Sequence, residues 1–220
     1  MTNLWPWFVL IGLGALHGIN PGMGWLFAVC LGLQERSRKA VLAALPPIAL
    51  GHALSVGLVV TLIAVLRARL NASVLQYACA ALLVGYGFYR VVRARHPRWV
   101  GMRVGFRDLT LWSFLMASAH GAGLMLIPVF LATTAPDIHG AMGHHSGAGA
   151  HASHLPLIAG PGWLAAAVVI HTLSHLLVAG LVALLVYEKL GLAILKTAWF
   201  NIDFAWALAL IVTGAILAFL

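Results

Sequence analysis

Residues 16–24 read Leu16-His17-Gly18-Ile19-Asn20-Pro21-Gly22-Met23-Gly24, set inside an apolar stretch that runs over 4–33. That stretch is too long for one straight crossing of a bilayer, which takes about 20 residues. Proline removes a helical hydrogen bond and disturbs the preceding turn. Gly22 and Gly24 let the backbone bend. The reading is a membrane helix broken at Asn20, Pro21 and Gly22. A break at this depth is tolerated only where it faces protein or a water-filled cavity. His17 stands four residues before Pro21, one turn away on the same face. Freed carbonyls at such a break can coordinate a cation. Met23 adds a soft thioether.

The rest of the chain has the same character. It has 220 residues, 62% apolar and 8% charged, against about 25% charged in soluble domains. Further apolar stretches cover 44–66, 74–89, 109–132, 162–187 and 197–220. The expected fold is all-α, a polytopic membrane protein with six transmembrane helices. The net charge of +8 does not imply a nucleic-acid partner, because its distribution follows the membrane. Loops 34–43, 90–108 and 188–196 hold eleven of the Lys and Arg residues, while Arg67 and Arg69 lie on the other side. This positive-inside bias puts both termini and the 133–161 loop outside the cytoplasm, in a multi-pass protein of the cell (inner) membrane. The basic run 90–107 suits anionic lipid headgroups. The N-terminus lacks the positive region of a signal peptide, so the first span is expected to remain. Cys30 and Cys79 read as small buried hydrophobes.

Short matches divide the chain into two sets of three spans, 1–108 and 109–220. Ala15-Leu16-His17-Gly18 echoes Ser118-Ala119-His120-Gly121, and His52-Ala53-Leu54-Ser55 echoes His171-Thr172-Leu173-Ser174. Three spans is an odd number, so the two units are inverted, with a site between them. In the fourth span Met125 and Pro128 follow His120, the proline displaced by four residues relative to the first span. An imidazole in hydrocarbon is costly without a partner or a task. His171 and His175 are four apart, one above the other on a helix, in position to grip one ion. Asp203 is the one carboxylate within a span and is a candidate for proton or cation coupling, its other role being interfacial.

The 133–161 loop carries His139, His144, His145, His151 and His154 among Gly, Ala and Ser. That composition builds no core and suits metal capture. Trp5, Trp7, Trp99, Trp112, Trp163 and Trp199 fall near span ends, as interface anchors do. No nucleophile–base arrangement, phosphate loop or catalytic carboxylate pair is visible, so an enzyme is not expected.

The segment Leu16-His17-Gly18-Ile19-Asn20-Pro21-Gly22, with Gly51-His52-Ala53-Leu54-Ser55, resembles the nickel/cobalt exporter family (NicO/RcnA-like) of the LysE-type transporter superfamily. The resemblance implies six spans and gradient-driven export of a divalent transition-metal ion, with His17, Pro21 and His52 in the pathway. Met23 stands where that family carries a His or Asp-His, and the His-rich loop follows the fourth span rather than the third. A softer ion such as copper(I), or zinc, therefore stays open. The metal ligands expected are His17, Met23, His52, His120, His171 and His175, with the transition-metal ion as substrate. Two alternatives remain. One is a membrane haem or metal protein without transport, with His52 and His171 as axial ligands. The other is an exporter of a small organic solute, in which the histidines bind a carboxylate or relay protons. The lipid bilayer is the main partner, and a homo-oligomer is compatible with all three.

Overall fold

The computed structural model describes residues 4–92, 105–134, 161–190 and 195–219. Among these residues the chain is helical, with no strand. The helices are α1 (Trp5–Ile19), α2 (Trp25–Glu35), α3 (Arg38–Arg67), α4 (Ala72–Val92), α5 (Phe106–Ala119), α6 (Ile127–Thr134), α7 (Pro161–Leu185) and α8 (Leu195–Phe219). All six apolar stretches are helical. Three segments, Arg38–Arg67, Ala72–Val92 and Gly162–Lys189, are each long and apolar enough to cross a membrane. A bent pair makes a fourth candidate, with 51° between Phe106–Ala119 and Leu124–Thr133. The chain is thus a helical protein with several membrane-spanning candidates.

The first stretch breaks where the proline motif predicts. A single 3-10 turn, Pro21–Met23, separates α1 from α2. Gly24 leaves it at φ 116°, a conformation open to glycine and strained for other residues. The fourth stretch is broken as well. The expectation there was only a displaced proline. The actual break falls at His120–Gly123, with Gly121 at φ 69°. Pro128 instead sits at the second residue of α6, near a helix start, where its missing N–H costs little. Conversely, Pro46 and Pro47 lie inside α3 without ending it.

Three packings organise the bundle: α1 on α7, α3 on α5 and α4 on α8. The α1–α7 contact is close because Gly14 and Gly18 face it. A Cβ at Gly18 would stand 2.6 Å from the His175 carbonyl oxygen. Small residues one turn apart let helix backbones approach in this way.

The packing is inverted relative to a soluble protein. On α7, Val169, Leu173, Leu177, Leu181 and Leu185 are exposed, while His171, His175, Ala179 and Ala183 are buried. On α3, Leu50, Leu54, Leu58 and Leu62 face out, and His52 and Ser55 face in. An apolar surface of this extent is unfavourable in water and favourable in lipid.

The helix ends gather at two poles. At one, Arg38 Nε lies 2.6 Å from Glu188 Oε1, joining the start of α3 to the π-helical turn Val186–Leu190. This pairs two of the loops that the charge count places together. At the other pole, Trp163 packs on Trp7 and Phe130 with ring centroids 5.8 and 5.2 Å apart. Arg67 donates to the Leu131 carbonyl there. Gln76 donates to Leu217 at 2.9 Å, which pairs the start of α4 with the end of α8.

Candidate functional site

Height along the helices follows from residue count. His52 is 14 residues from Arg38 and 15 from Arg67 in α3. Toward one pole, Val41, Ala44 and Ile48 of α3 pack with Trp25, Leu109, Ala179 and Ala183. Toward the other, Val56, Val60 and Ile63 pack with Leu10, Ala167, Phe130 and Trp163. His52, His171 and His175 therefore sit between two apolar layers.

His17, His52, His120, His171 and His175 are all fully buried. Four of them form one cluster. His17 lies 5.5 Å from His52 and 5.1 Å from His171, ring centre to ring centre. His52 lies 5.4 Å from His171 and 4.0 Å from His175, and it stacks parallel to His175. The spacing of four between His171 and His175 thus lets both reach His52. His175 also lies against the backbone at Met23. His120 stands nearby, its imidazole against Gly22. Met23 and Met125 are buried in the same apolar cluster.

Hydrogen bonds orient three of the rings. His17 Nδ1 donates to Leu13 O at 2.6 Å and His120 Nδ1 to Met116 O at 2.8 Å. In both, the acceptor is four residues back on the histidine's own helix. His171 Nδ1 donates across to Leu10 O at 3.1 Å. A carbonyl accepts only, so each of these Nδ1 atoms carries the proton. On His17 and His171 this leaves Nε2 buried without a partner. His52 and His175 have neither nitrogen paired. Six imidazole nitrogens are thus desolvated and unpartnered, a costly arrangement outside a binding site.

Several carbonyls at the breaks accept hydrogen bonds. Trp25 Nε1 donates to Ile19 O at 3.0 Å. The Tyr86 hydroxyl donates to Ala119 O. Trp206 Nε1 donates to His120 O at 2.7 Å. Those of His17, Asn20 and Pro21 accept local backbone N–H groups.

Trp206 is the residue that the reading of the sequence missed. Its ring lies edge-on to His17, 4.5 Å between centres, while its N–H holds His120. The available signal was its depth, nine residues into the 197–220 stretch and away from the ends where anchors collect. Trp163 is likewise no simple interface anchor, since it is 9% exposed and packs inward. Ser55 Oγ and Ser118 Oγ bond at 2.9 Å, and Ser174 donates to Ile11 O, closing polar seams between helices.

Among the described residues, no group of three or more His, Cys, Asp or Glu side chains is arranged so that it could hold a metal ion. The ring centres converge, with His52 stacked parallel on His175. Cys30 and Cys79 are unbridged. Asp203 falls on α8, its side chain outside the described residues, and His139, His144, His145, His151 and His154 lie outside them altogether. The chain matches no protein-family model, no curated protein and no solved structure.

Proposed function

We propose that this chain is a membrane transporter, not an enzyme, that moves a transition-metal cation through the histidine cluster. One observation carries the reading: four buried imidazoles from α1, α3 and α7 meet between two apolar layers with six nitrogens unpartnered. Neutral imidazole is a ligand for zinc, copper, nickel and iron rather than for alkali ions. Three imidazoles on one tetrahedral ion hold their ring centres about 5 Å apart. The His17, His52 and His171 rings are 5.1–5.5 Å apart.

Two inverted three-helix repeats remain the best account of the architecture. The repeat would exchange α1 with α5, α3 with α7 and α4 with α8. Under that exchange the α1–α7 packing becomes α5–α3, and α4–α8 maps onto itself, which are the three main packings present. His17 and His120 correspond, and each bonds the carbonyl four residues back, just before a break. With the basic pole cytoplasmic, the protein reads as a six-span exporter of the inner membrane, like the nickel/cobalt exporters.

Flux and binding of Ni, Co, Zn and Cu ions in liposomes test this, with His17→Ala and His52→Ala beside the parent. Each variant is expected to weaken binding of the transported ion by about tenfold or more and to suppress its flux. Unchanged binding and flux of every ion in both variants would refute the site.

A further inference from the structure

On α7, Trp163, Ala167, His171, His175, Ala179 and Ala183 recur every four residues as one buried row. Alanines flank the two histidines on both sides. Alanine fills little space, so side chains of other helices complete the layers that cover the cluster. Toward the basic pole they include those of α2: Trp25, Ala28 and Val29 lie in one layer with Ala179 and Ala183. Toward the opposite pole they include those of α6: Val129 and Phe130 lie in one layer with Trp163 and Ala167. The two half-helices are alike in build. Each is the second half of a broken stretch, and each follows a glycine in left-handed backbone, Gly24 at φ 116° and Gly121 at φ 69°. Each carries a phenylalanine ten residues beyond the histidine before its break, Phe27 after His17 and Phe130 after His120. Each phenylalanine meets a tryptophan of another helix edge to face. Phe27 lies 5.1 Å from Trp112 of α5, and Phe130 lies 5.2 Å from Trp163 of α7.

We infer that α2 and α6 are the two gates of the histidine site, half-helices that pivot at Gly24 and Gly121 and are latched shut by Phe27–Trp112 and Phe130–Trp163. This rests on the transport reading and adds to it the parts that move. Hinges are a few element-terminal residues that absorb backbone rotation, and glycine does so without the steric cost met by other residues. At its far end α2 has a second pivot, where Arg36 adopts φ 49° and Ser37 caps α3. An edge-to-face aromatic pair is worth about a two- to tenfold shift in an equilibrium, which holds a half-helix closed without fixing it there. The gates face opposite poles, and both are closed in this structure, since all five histidines are fully buried.

Cysteine labelling tests this without any metal ion. The purified full chain in detergent carries Cys30→Ala and Cys79→Ala and one reporter, Ala183→Cys toward the basic pole or Ala167→Cys toward the other, and is treated with N-ethylmaleimide. Phe27→Ala is expected to speed labelling of the Ala183→Cys reporter alone, and Phe130→Ala that of the Ala167→Cys reporter alone, each by about two- to tenfold. Phe27→Leu and Phe130→Leu keep apolar bulk without the ring, and they are read in place of any alanine variant that fails to fold. Variants that label at the parental rate, or that expose both reporters equally, overturn the inference. In liposomes, Phe27→Cys with Trp112→Cys, and Phe130→Cys with Trp163→Cys, are each bridged by a bis-methanethiosulfonate. Either bridge is expected to stop ion flux and its reduction to restore it; flux that continues through both bridged forms also overturns the inference. One-sided labelling in a chain whose parent carries none of Ni, Co, Zn and Cu would instead sink the transport reading and leave the hinged half-helices standing.

Discussion

The two helix breaks do the same job by different means. At the first, most bonds come from nearby sequence, Asn20 N–H to His17 O, Gly22 N–H to Asn20 Oδ1, and Trp25 Nε1 to Ile19 O, with His175 of α7 also against the Met23 backbone. At the second, local backbone bonds are joined by donors from distant helices, Tyr86 of α4 to Ala119 O and Trp206 of α8 to His120 O. A break inside a membrane protein must re-satisfy its polar groups internally. A short motif of Asn, Pro and Gly does this within one stretch of chain. Without it, tertiary contacts do the work, and the second break depends on the α4–α8 pair being in place.

That contrast is most exposed at Trp206. Trp206→Ala removes a buried ring beside His17 and leaves His120 O without its indole donor. A loss of about 3–5 kcal/mol is expected from the cavity, read as a lower unfolding midpoint in detergent. A midpoint within about 1 °C of the parent would mean that α8 does not support the break. The glycines come next, and the pair to compare is Gly24→Ala with Gly121→Ala. Left-handed backbone costs a non-glycine residue about 1–3 kcal/mol. Gly24, at φ 116°, also meets Ile48, whose Cγ2 would lie 2.7 Å from an added Cβ, so Gly24→Ala adds a clash to that cost. Gly121→Ala, at φ 69° and 3.1 Å from the flexible end of Leu210, should cost less. Thermal unfolding of both variants ranks them. The reverse order would remove the claim that the first break is the more tightly specified.

The hydrogen-bond donors give a finer comparison. Tyr86→Phe deletes one hydroxyl and leaves the Ala119 carbonyl short of a partner, an effect of about 1–2 kcal/mol. Trp25→Phe deletes the matching bond at the first break, where Asn20 and the 3-10 turn still hold the chain. Hydrogen exchange should therefore rise across 119–126 in the first variant and stay confined to residues near 19–20 in the second. Smallest of all is Arg38→Ala. The Arg38–Glu188 pair is well exposed, at 64% and 38%, so a change of less than about 1 kcal/mol is expected. A larger one would make that contact a structural latch at the basic pole.

Much of this architecture is readable from residue order. The apolar stretches locate every helix, because lipid leaves the backbone no alternative to internal hydrogen bonds. Asn20-Pro21-Gly22 locates the first break, because proline and glycine act on their own backbone. The helical repeat puts His171 and His175 on one face. The second break was not legible as such, since its sequence has no proline at the bend and its carbonyls are satisfied by Tyr86 and Trp206 from far along the chain. Trp206 carries no motif around it that would single it out.

By itself, then, the order of residues determined helix positions, the first break and the depth of the histidines, all set by interactions within a few turns of one helix. Only the tertiary structure decided that His17, His52, His171 and His175 stand within one cluster, that donors from α4 and α8 reach the second break, and that Asn20 keeps an unpartnered donor. Those outcomes depend on how α1, α3, α7 and α8 pack against one another. A contact such as His171 to Leu10, between residues 161 positions apart, leaves no periodic trace in the chain that makes it.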